Sequence, residues 1–341
     1  MDETGVHHIE VDDTEVSYDQ ILPKALVHKD GFDDVFLTSF TARTDTESVL
    51  GAELPRSHDF YCELPVSNPV HDLAVLIEVC RQACFVVAHE QFDVPLGGKQ
   101  DAKFLMRELS ARFGDTGPFD TDEPVDVVVH CQVADTTERA GKVSGLVWAF
   151  TMQVGDVVVG QARMAQSLMP RSIWGELRNR LREGRGLPSK MEDVDPPKPS
   201  RLDPAAVGRQ NPDNVVLTAV GETDDGLYRA TLRADLRHPV MFDHPADYIF
   251  AMVQLEAARQ LALVVGSDRL GVPATDLEMH AVAAEYHAVA EYDLHTELRA
   301  TVPDGAAEDD RHLRITIETI QQDRTVSSFD LSVRPLAVSQ P

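Results

Sequence analysis

Two long apolar segments with the same internal pattern dominate the hydropathy of this chain. Residues 73–95 read LAVLIEVCRQACFVVAHEQFDVP, and residues 251–273 read AMVQLEAARQLALVVGSDRLGVP. Glu-x-x-Arg-Gln, Val-Val and Val-Pro recur at a constant offset, so that Glu78 matches Glu256, which lies 178 positions later. Such a repeat indicates two copies of one structural unit. Both segments are apolar almost all round a helix, which predicts a buried helix in each copy.

Alternating, β-branched segments follow each predicted helix. The first helix is followed by KFLMREL, PVDVVVHCQVAD, GLVWAFTMQV and DVVVGQARMAQSL, and the second by EMHAVAAEYHAVAEYDLHTELRATV, HLRITIET and TVSSFDLSV. In HLRITIET, Leu313, Ile315 and Ile317 share one face of a strand. A buried helix followed by several antiparallel strands predicts an α+β unit whose sheet wraps around the helix, a hot-dog fold. We predict a tandem double hot-dog, with the two sheets paired as in a pseudo-dimer.

A segment rich in proline and charge separates the two copies. Residues 184–214 read GRGLPSKMEDVDPPKPSRLDPAAVGRQNPDN and have no apolar period, which is typical of an extended, solvated connector. We therefore expect an N-terminal domain over residues 20–183, a linker over 184–213 and a C-terminal domain over 214–337. Just before the linker, IWGELRNRL (173–181) predicts a short amphipathic helix.

The charge balance excludes several classes of partner. The 341 residues include 31 Lys+Arg and 57 Asp+Glu, a formal net charge of −26. Nucleic acid and anionic membranes both attract positive charge, so we expect neither as a partner. The acidic N-terminus does not resemble a secretory signal, which favours a cytoplasmic protein. Four cysteines without CxxC spacing argue against a disulfide framework or a zinc site, and we expect no metal.

Polar residues interrupt each apolar helix at one place. Glu78, Arg81 and Gln82 form a single stripe on the first helix, and the second helix repeats it as Glu256, Arg259 and Gln260. Burying an unpaired charge costs several kcal/mol, so each carboxylate either pairs with its arginine or faces a cavity. One interpretation is a structural ion pair. The other is a site in which a desolvated glutamate with a raised pKa acts as a base and the arginine binds a phosphate or a carbonyl oxygen.

The segments before the two helices add candidate substrate-binding residues. PRSHDFY precedes the first helix and HPVMFDHPAD precedes the second. Histidine ahead of a helix that carries a glutamate is an acid/base arrangement found in hot-dog enzymes that act on acyl thioesters. A covalent route through Cys80 or Cys84 is weaker, because neither has an evident base beside it. The candidate substrate-binding residues are Gln82, Gln260, His58, Arg56, His244 and Asp243.

Several of these segments together resemble one known family. LVHKDGFDDVFLTSF, LPRSHDFY, IEVCRQA with AHEQFDVP, and HPVMFDHPADYIFAMVQLEAARQ are similar to the A-factor biosynthesis (AfsA-like) proteins, the γ-butyrolactone synthases. The resemblance covers nearly the whole chain. It implies two hot-dog halves, no cofactor, and an acyltransferase that moves a β-ketoacyl chain from an acyl carrier protein or CoA thioester to dihydroxyacetone phosphate. The ester then closes to a butenolide, a precursor of signalling molecules that switch on antibiotic production. The catalytic residues it implies are Glu78, Arg81, Glu256 and Arg259.

The chain departs from the family pattern ahead of its second helix. The family reads Asp-His-Val-Pro-Gly-Met there, whereas residues 247–252 read DYIFAM. Loss of Pro-Gly removes a preorganised helix start, and Phe250 narrows the mouth of a tunnel. We expect the second site to take a different acyl chain or to bind without catalysis, and the first half to be unaffected.

Two further questions stay open at this stage. An acidic carrier protein needs a local basic patch on an acidic chain. The arginines before the linker either form that patch or a solvated helix face; they are Arg171, Arg178, Arg180, Arg182 and Arg185. Alternative functions on the same fold are a thioester dehydratase or thioesterase and a non-catalytic acyl-binding protein, whereas a DNA-binding regulator is opposed by the charge. We expect a monomeric pseudo-dimer or a weak homo-oligomer.

Overall fold

The two halves of the chain share a core of two strands, a long helix and four further strands. The computed structural model describes residues 15–63, 71–97, 101–114, 123–191, 202–223, 226–244, 246–303, 307–309 and 312–336. The first half consists of β1 (Leu37–Ala42), β2 (Glu47–Leu54), α1 (Leu73–Gln91), β3 (Ala102–Phe113), β4 (Val125–Arg139), β5 (Lys142–Val154), β6 (Val157–Pro170) and α2 (Arg171–Glu183). The second half consists of β7 (Leu217–Glu222), β8 (Tyr228–Leu232), β9 (Tyr248–Ile249), α3 (Ala251–Leu270), β10 (Leu277–Tyr286), β11 (Ala290–Glu291), β12 (Glu297–Thr301), β13 (Ala307–Asp309), β14 (His312–Gln321) and β15 (Arg324–Pro335).

One antiparallel sheet runs through both halves. Its strand order is β1-β2-β4-β5-β6-β3 in the first half and β7-β8-β12-β14-β15-β10 in the second, with β13 added beside β14. β3 and β10 pair in the middle, in a register that places Ser110 opposite Ala283. The two six-stranded halves therefore meet edge to edge, and the α+β tandem hot-dog prediction is confirmed.

The central helices α1 and α3 are buried by the sheet that wraps around them. Leu76, Ile77 and Val86 of α1 have no exposed surface, and Leu261 and Val265 of α3 have none either. Full burial of each such side chain contributes about 1.5–3 kcal/mol to folding. Gly266 allows α3 to lie close to the sheet, because a Cβ there would be 2.9 Å from a methyl group of Val333. Among the described residues, no helix is both long and apolar enough to cross a membrane.

Each half also has two strands ahead of its helix, which the sequence analysis did not predict. β1 pairs with β2, and β7 pairs with β8, at the two outer edges of the sheet. In β2 the alternation is hidden by a run of five buried positions, which includes the small residues Gly51 and Ala52. A Cβ at Gly51 would lie 2.5 Å from Thr38 Oγ1, so only glycine fits between the strands at this point.

The C-terminal part of the predicted linker is packed against the fold, whereas residues 184–191 are half-buried or exposed. Residues 202–214 contain two short 3-10 helices, Pro204–Val207 and Pro212–Asn214, rather than an extended connector. Val207 and Arg209 are buried. The expectation of a solvated segment is wrong here, because Arg209 enters an ion-pair network inside the protein. Residues 192–201 lie outside the described part, and the domain boundaries stay a prediction.

Arg178 and Arg182 of α2 belong neither to a basic patch nor to a solvated helix face. Arg178 and Arg182 are buried and contact Glu291 at 2.5 and 2.8 Å, and Arg182 also contacts Asp293 at 2.5 Å. Both proposed interpretations are wrong for these two residues, because their charges join α2 to the second half of the chain. Arg171 and Arg180 are exposed, and Arg185 donates a hydrogen bond to the carbonyl oxygen of Val289.

Candidate active site

A cavity of about 670 Å³ lies between α1, the start of α3 and strands β3 and β10. Its lining includes Glu78 and Arg81 from the first half as well as Glu256 and Arg259 from the second. The structure therefore brings both predicted Glu/Arg pairs to one cavity instead of two separate tunnels. The surroundings of the two pairs differ, and that difference decides which of them is open to a ligand.

The first pair leaves one edge of its arginine free. Arg81 Nε lies 2.7 Å from Glu78 Oε2, and Nη2 lies 2.8 Å from Oε1, which is a bidentate contact. Lys29 Nζ lies 3.2 Å from the same carboxylate. Arg81 Nη1 makes no hydrogen bond to any residue that the structure describes, and the guanidinium lies 5.0 Å from the ring centroid of Phe85. The arginine is thus held by Glu78 and still has a donor for a ligand.

The pKa of Glu78 is well below its usual value, which corrects the expectation of a raised pKa. Burial alone would raise it, but Arg81, Lys29 and the amide of Gln82 together stabilise the charged form. Glu78 also raises the pKa of Arg81. Because the carboxylate stays ionised and fully engaged, it is a weak base. Its role in the cavity is to orient the two cations.

A histidine–aspartate pair completes the first cluster. His244 Nδ1 lies 2.7 Å from Asp243 Oδ1, and Asp243 Oδ2 lies 3.6 Å from Lys29 Nζ. Burial would raise the pKa of Asp243, but the hydrogen bond from His244 and the charge of Lys29 keep it below its usual value. Since an ionised carboxylate only accepts hydrogen bonds, Nδ1 donates to Asp243, and Nε2 is the ring nitrogen left for a ligand. We call Lys29, Glu78, Arg81, Asp243 and His244 the first cluster.

A second histidine pair lies at the same cavity and was missed in the sequence. His28 lines the cavity, stacks on Phe85 at 4.3 Å between ring centroids, and places Nε2 2.8 Å from Nε2 of His89. His89 Nδ1 donates to the carbonyl oxygen of Val94, so its Nε2 accepts the proton of His28. Burial lowers the pKa of His28 to about 3, which keeps the ring neutral. In the sequence, His28 and Lys29 lie in the segment LVHKDG, which has no pattern that would mark them as site residues.

The second pair is closed by additional charges. Arg259 Nε and Nη2 bind Glu256 at 2.8 and 3.0 Å, as Arg81 binds Glu78, but Nη1 lies 3.1 Å from Asp72 Oδ2. Arg209 lies 2.9 Å from Glu256 and also contacts Glu63 at 2.9 Å. We call Glu63, Asp72, Arg209, Glu256 and Arg259 the second cluster.

The second cluster is therefore saturated. The side chain of Arg259 is 2 % exposed, compared with 17 % for Arg81. Every donor edge of Arg259 already has a carboxylate partner within the chain. Despite the pull of burial in the opposite direction, Arg209 and Arg259 lower the pKa of Glu256 to about 2.

Four residues of each cluster match those of the other, whereas His244 of the first cluster and Asp72 of the second have no counterpart in the other cluster. The matching pairs are Glu78 with Glu256, Arg81 with Arg259, Lys29 with Arg209, and Asp243 with Glu63. Asp72 of the second cluster corresponds to residue 250 at the offset of 178, and that residue is Phe250. The pair that faces Phe250 is open, and the pair that faces Asp72 is closed.

Phe250 thus lies beside the first cluster and not in a second-half tunnel. Its ring lies 5.0 Å from the ring of His244, and both line the cavity with Arg81. The expectation that the departure at residue 250 leaves the first half unaffected is therefore wrong. Each central helix starts near the polar stripe of the other helix. Asp72 at the start of α1 contacts Arg259 of α3, and Phe250 at the start of α3 lines the same cavity as Arg81 of α1.

Four of the candidate substrate-binding residues are not brought to the cavity. Gln82 accepts a hydrogen bond from the Phe36 N–H at 3.1 Å and donates to the Asp34 carbonyl at 2.7 Å, and Gln260 makes the same two bonds to Val216 and Asn214. These amides fasten a preceding loop to each helix and are not available to a ligand. Among the residues that line the cavity, neither amide is found, and neither are His58 and Arg56.

His58 has a structurally equivalent residue in the second half, His238. Its Nδ1 accepts hydrogen bonds from the Phe60 and Tyr61 N–H groups, and Nε2 lies 3.2 Å from Asp34. His238, and not His244, makes the equivalent bonds in the second half. His58 therefore stabilises a turn, whereas His244 and Asp243 remain beside the cavity.

The described residues support neither a cysteine nucleophile nor a metal site. Burial raises the pKa of the Cys80 and Cys84 thiols well above its usual value, which opposes a thiolate nucleophile. Over the described ranges, no group of three or more His, Cys, Asp or Glu side chains could hold a metal ion.

Known proteins resemble this chain over nearly its whole length. Among curated proteins, the 2-oxo-3-(phosphooxy)propyl 3-oxoalkanoate synthase of Streptomyces virginiae is 30 % identical over 318 residues, which is 93 % of this chain and 98 % of the relative. The protein of that name from Streptomyces griseus is 27 % identical over 312 residues, 90 % of this chain and 93 % of the relative.

Solved structures and the family model agree with the fold. A protein described as an oleoyl thioesterase from Lactobacillus plantarum superposes with a TM-score of 0.50 at 10 % identity, over 85 % of this chain and 97 % of that chain. The model of the A-factor biosynthesis hotdog domain matches residues 13–170 and 191–337. The resemblance seen in the sequence is confirmed, and the chain belongs to the AfsA family of A-factor biosynthesis hotdog proteins.

Proposed function

We propose that this chain is an acyltransferase that moves a 3-oxoacyl group from a thioester to a hydroxyl of dihydroxyacetone phosphate. The product is a 2-oxo-3-(phosphooxy)propyl 3-oxoalkanoate, the compound in the names of its relatives. The observation that carries the proposal is the first cluster, in which an arginine with a free donor edge and a His–Asp pair face one cavity. The arginine can bind an anionic group of a substrate, and the histidine can accept the proton of a substrate hydroxyl.

Each chain has one active site in this proposal, at the first cluster. Arg81 and His244 contact the substrate, while Glu78, Lys29 and Asp243 position them. Glu256 and Arg259 of the second cluster hold the two halves together, since their charges are already satisfied. The sequence predicted two catalytic Glu/Arg pairs. In this proposal the first pair takes part in catalysis and the second pair stabilises the structure.

His244 is the base of the proposed transfer. Its Nε2 takes the proton of the acceptor hydroxyl as that oxygen attacks the thioester carbonyl carbon, and Asp243 stabilises the imidazolium that forms. The tetrahedral intermediate then collapses, the carbon–sulfur bond breaks, and the imidazolium returns the proton to the departing thiolate. A neutral His28 nearby adds no positive charge that would repel a proton from His244.

The acyl chain and its carrier use the apolar part of the cavity. Phe85, Phe104 and Met106 line one side, and Met241 and Met252 line the other. Methionine adapts its shape to irregular apolar ligands, which suits chains that differ in branching. Delivery by an acyl carrier protein remains part of the proposal. The cations that would meet it are Arg107 and Arg171, which are exposed at this cavity, and not the buried arginines of α2.

The proposal also includes the oligomeric state of the protein and its location. The continuous sheet through β3 and β10 supports a single chain that acts as a pseudo-dimer, alone or in a weak homo-oligomer. We place its activity in the cytoplasm, where thioesters of carrier proteins and phosphorylated trioses are both present.

Mass spectrometry of the purified chain with a 3-oxoacyl thioester will test the reaction class. We expect a new ester mass, or its butenolide after loss of water, only when dihydroxyacetone phosphate is present, because the hydroxyl must come from the acceptor. Release of free acid at the same rate without the acceptor would identify a thioesterase instead. Loss of water from a 3-hydroxyacyl thioester would identify a dehydratase, and no product at all would leave a binding protein.

Replacement of His244 by glutamine will test the base. We expect kcat to fall by about 10²–10⁴-fold, the usual contribution of a general base, with little change in the KM of dihydroxyacetone phosphate. The control is His295→Gln, since His295 is exposed and does not line the cavity. A kcat of His244→Gln within threefold of the wild-type value, in a folded protein, would assign the proton transfer to another group.

A further inference from the structure

The two central helices begin with different residues, and the difference points to a ligand. At the start of α1, Asp72 Oδ1 accepts a hydrogen bond from the Ala74 N–H at 2.8 Å, and Oδ2 lies 3.1 Å from Arg259 Nη1. One carboxylate therefore bridges a helix N-terminus and an arginine. The start of α1 and Arg259 thus form a complete anion-binding arrangement, filled by a side chain of the protein itself.

The same arrangement recurs at the start of α3 without the carboxylate. Phe250 takes the place of Asp72 and offers no side-chain acceptor to the first turn of the helix. Arg81 takes the place of Arg259, and its Nη1 makes no hydrogen bond to the described residues. Phe250, Ala251, Met252 and Arg81 all line the cavity. The counterparts of the groups that bind the Asp72 carboxylate therefore line the cavity at the start of α3, where no side chain takes the place of that carboxylate.

A further cation lies at this end of α3. Lys103 Nζ is 5.1 Å from the ring centroid of Tyr248 and 5.6 Å from that of Phe250. Within the described part of the chain it has no carboxylate at ion-pair distance. Burial and the nearby Arg171 lower the pKa of Lys103, which indicates that its charge is incompletely stabilised by the protein. In a chain with a net charge of −26, this cation thus lines the cavity with two aromatic rings, and no carboxylate of the described residues at ion-pair distance, beside it.

We propose that the phosphate monoester of the acceptor binds at the start of α3, where it takes the place that the Asp72 carboxylate holds at the start of α1. Arg81 Nη1, the N–H groups of Ala251 and Met252, and Lys103 are its ligands. A phosphate monoester carries up to two negative charges, and a helix N-terminus with an arginine and a lysine is a suitable site for it.

This inference rests on the proposed function and adds the position of the acceptor. The phosphate lies beside Phe250, whose ring is 5.0 Å from that of His244. A triose phosphate is short, so a phosphate bound here holds the hydroxyl of the same molecule on the side of the cavity where His244 lies. The family departure at residue 250 thus lies in the wall of the acceptor site.

The most direct test replaces Phe250 by aspartate, the residue type of its counterpart Asp72. In Phe250→Asp the carboxylate can cap α3 and pair with Arg81, so we expect the KM of dihydroxyacetone phosphate to rise at least tenfold while thermal stability is kept or increased. Phe250→Asn caps the helix without charge and is the matched control, for which we expect less than a threefold change. Lys103→Met is a second variant, with an expected increase in this KM of about 10–100-fold.

Binding measurements with the full chain separate the two sources of phosphate. Calorimetry will compare dihydroxyacetone phosphate with dihydroxyacetone, and inorganic phosphate with 4′-phosphopantetheine. We expect dihydroxyacetone phosphate and inorganic phosphate to bind to the wild-type chain and to be weakened in Phe250→Asp. Equal binding of dihydroxyacetone would overturn the inference. A selective loss of phosphopantetheine binding in Phe250→Asp would assign the site to the thioester donor and would overturn it too.

The inference and the proposed function can fail separately. Acyl transfer with an unchanged KM in both Phe250→Asp and Lys103→Met would remove the phosphate site and leave the reaction intact. Phosphate binding that depends on residue 250, in a chain that transfers no acyl group, would keep the site and remove the reaction.

Discussion

Replacement of Arg81 by methionine will reduce acyl transfer by about 10³-fold while the protein stays folded. The expected loss in kcat/KM is that of a positioned charged donor in a cavity, about 3–4 kcal/mol. Methionine keeps much of the apolar volume over Phe85. Glu78 retains Lys29 at 3.2 Å and the amide of Gln82 at 3.0 Å, so its charge is not left alone. We therefore expect a fall in the free energy of unfolding of only about 1–2 kcal/mol.

The measurement is kcat/KM for the 3-oxoacyl thioester and dihydroxyacetone phosphate, together with thermal unfolding of the same sample. Arg81→Lys is an informative companion, because it keeps a charge and loses the bidentate contact with Glu78. We expect it to recover only part of the activity. Turnover by Arg81→Met within tenfold of the wild-type value would remove the first cluster from the reaction.

The repeat of the helices was predictable from sequence because it is local. Glu, Arg and Gln at positions i, i+3 and i+4 share a helix face whatever surrounds them. The constant offset then gives two copies, and the alternation in segments such as β14 gives the sheet. Hot-dog architecture follows, since a helix that is apolar all round needs a sheet on most of its sides.

The difference between the two Glu/Arg pairs was not predictable in this way. It depends on Asp72 and Phe250, each of which lies on the opposite helix from the arginine that it faces. It also depends on Lys29 and Arg209, which belong to segments without periodic pattern. Arg209 lies in a stretch rich in proline and charge whose composition is typical of a solvated linker, and only the ion pairs with Glu256 and Glu63 explain its burial.

The histidines illustrate the same limit. His58 and His244 both precede a central helix, which favoured them as counterparts. The hydrogen bonds pair His58 with His238 instead, because both accept two backbone N–H groups in the same turn. A comparison of the two halves at an offset of 180 would have found this pair, since Lys29 and Arg209 are also 180 positions apart.

Replacement of Arg259 by methionine will mainly lower the stability of the protein, whereas replacement of Arg81 mainly lowers its activity. Arg259 neutralises Glu256 and Asp72 at positions that are 4 % and 12 % exposed. Removal of one partner from a buried ion pair costs about 3–5 kcal/mol, because the remaining carboxylates lose their compensation. Since Asp72 caps α1, the loss also loosens the start of the helix that carries Glu78 and Arg81.

The free energy of unfolding from urea titration, measured for Arg259→Met and Arg81→Met side by side, will check this contrast. Asp72→Asn removes the second carboxylate of the pair and serves as the coupled variant. In the double variant the two losses will not add, and we expect a coupling of about 0.5–3 kcal/mol between residues in direct contact. If Arg259→Met instead keeps wild-type stability and loses acyl transfer, the second cluster is itself catalytic. The contacts of Arg259 oppose that outcome, because each of its three guanidinium nitrogens already has a carboxylate partner within the chain.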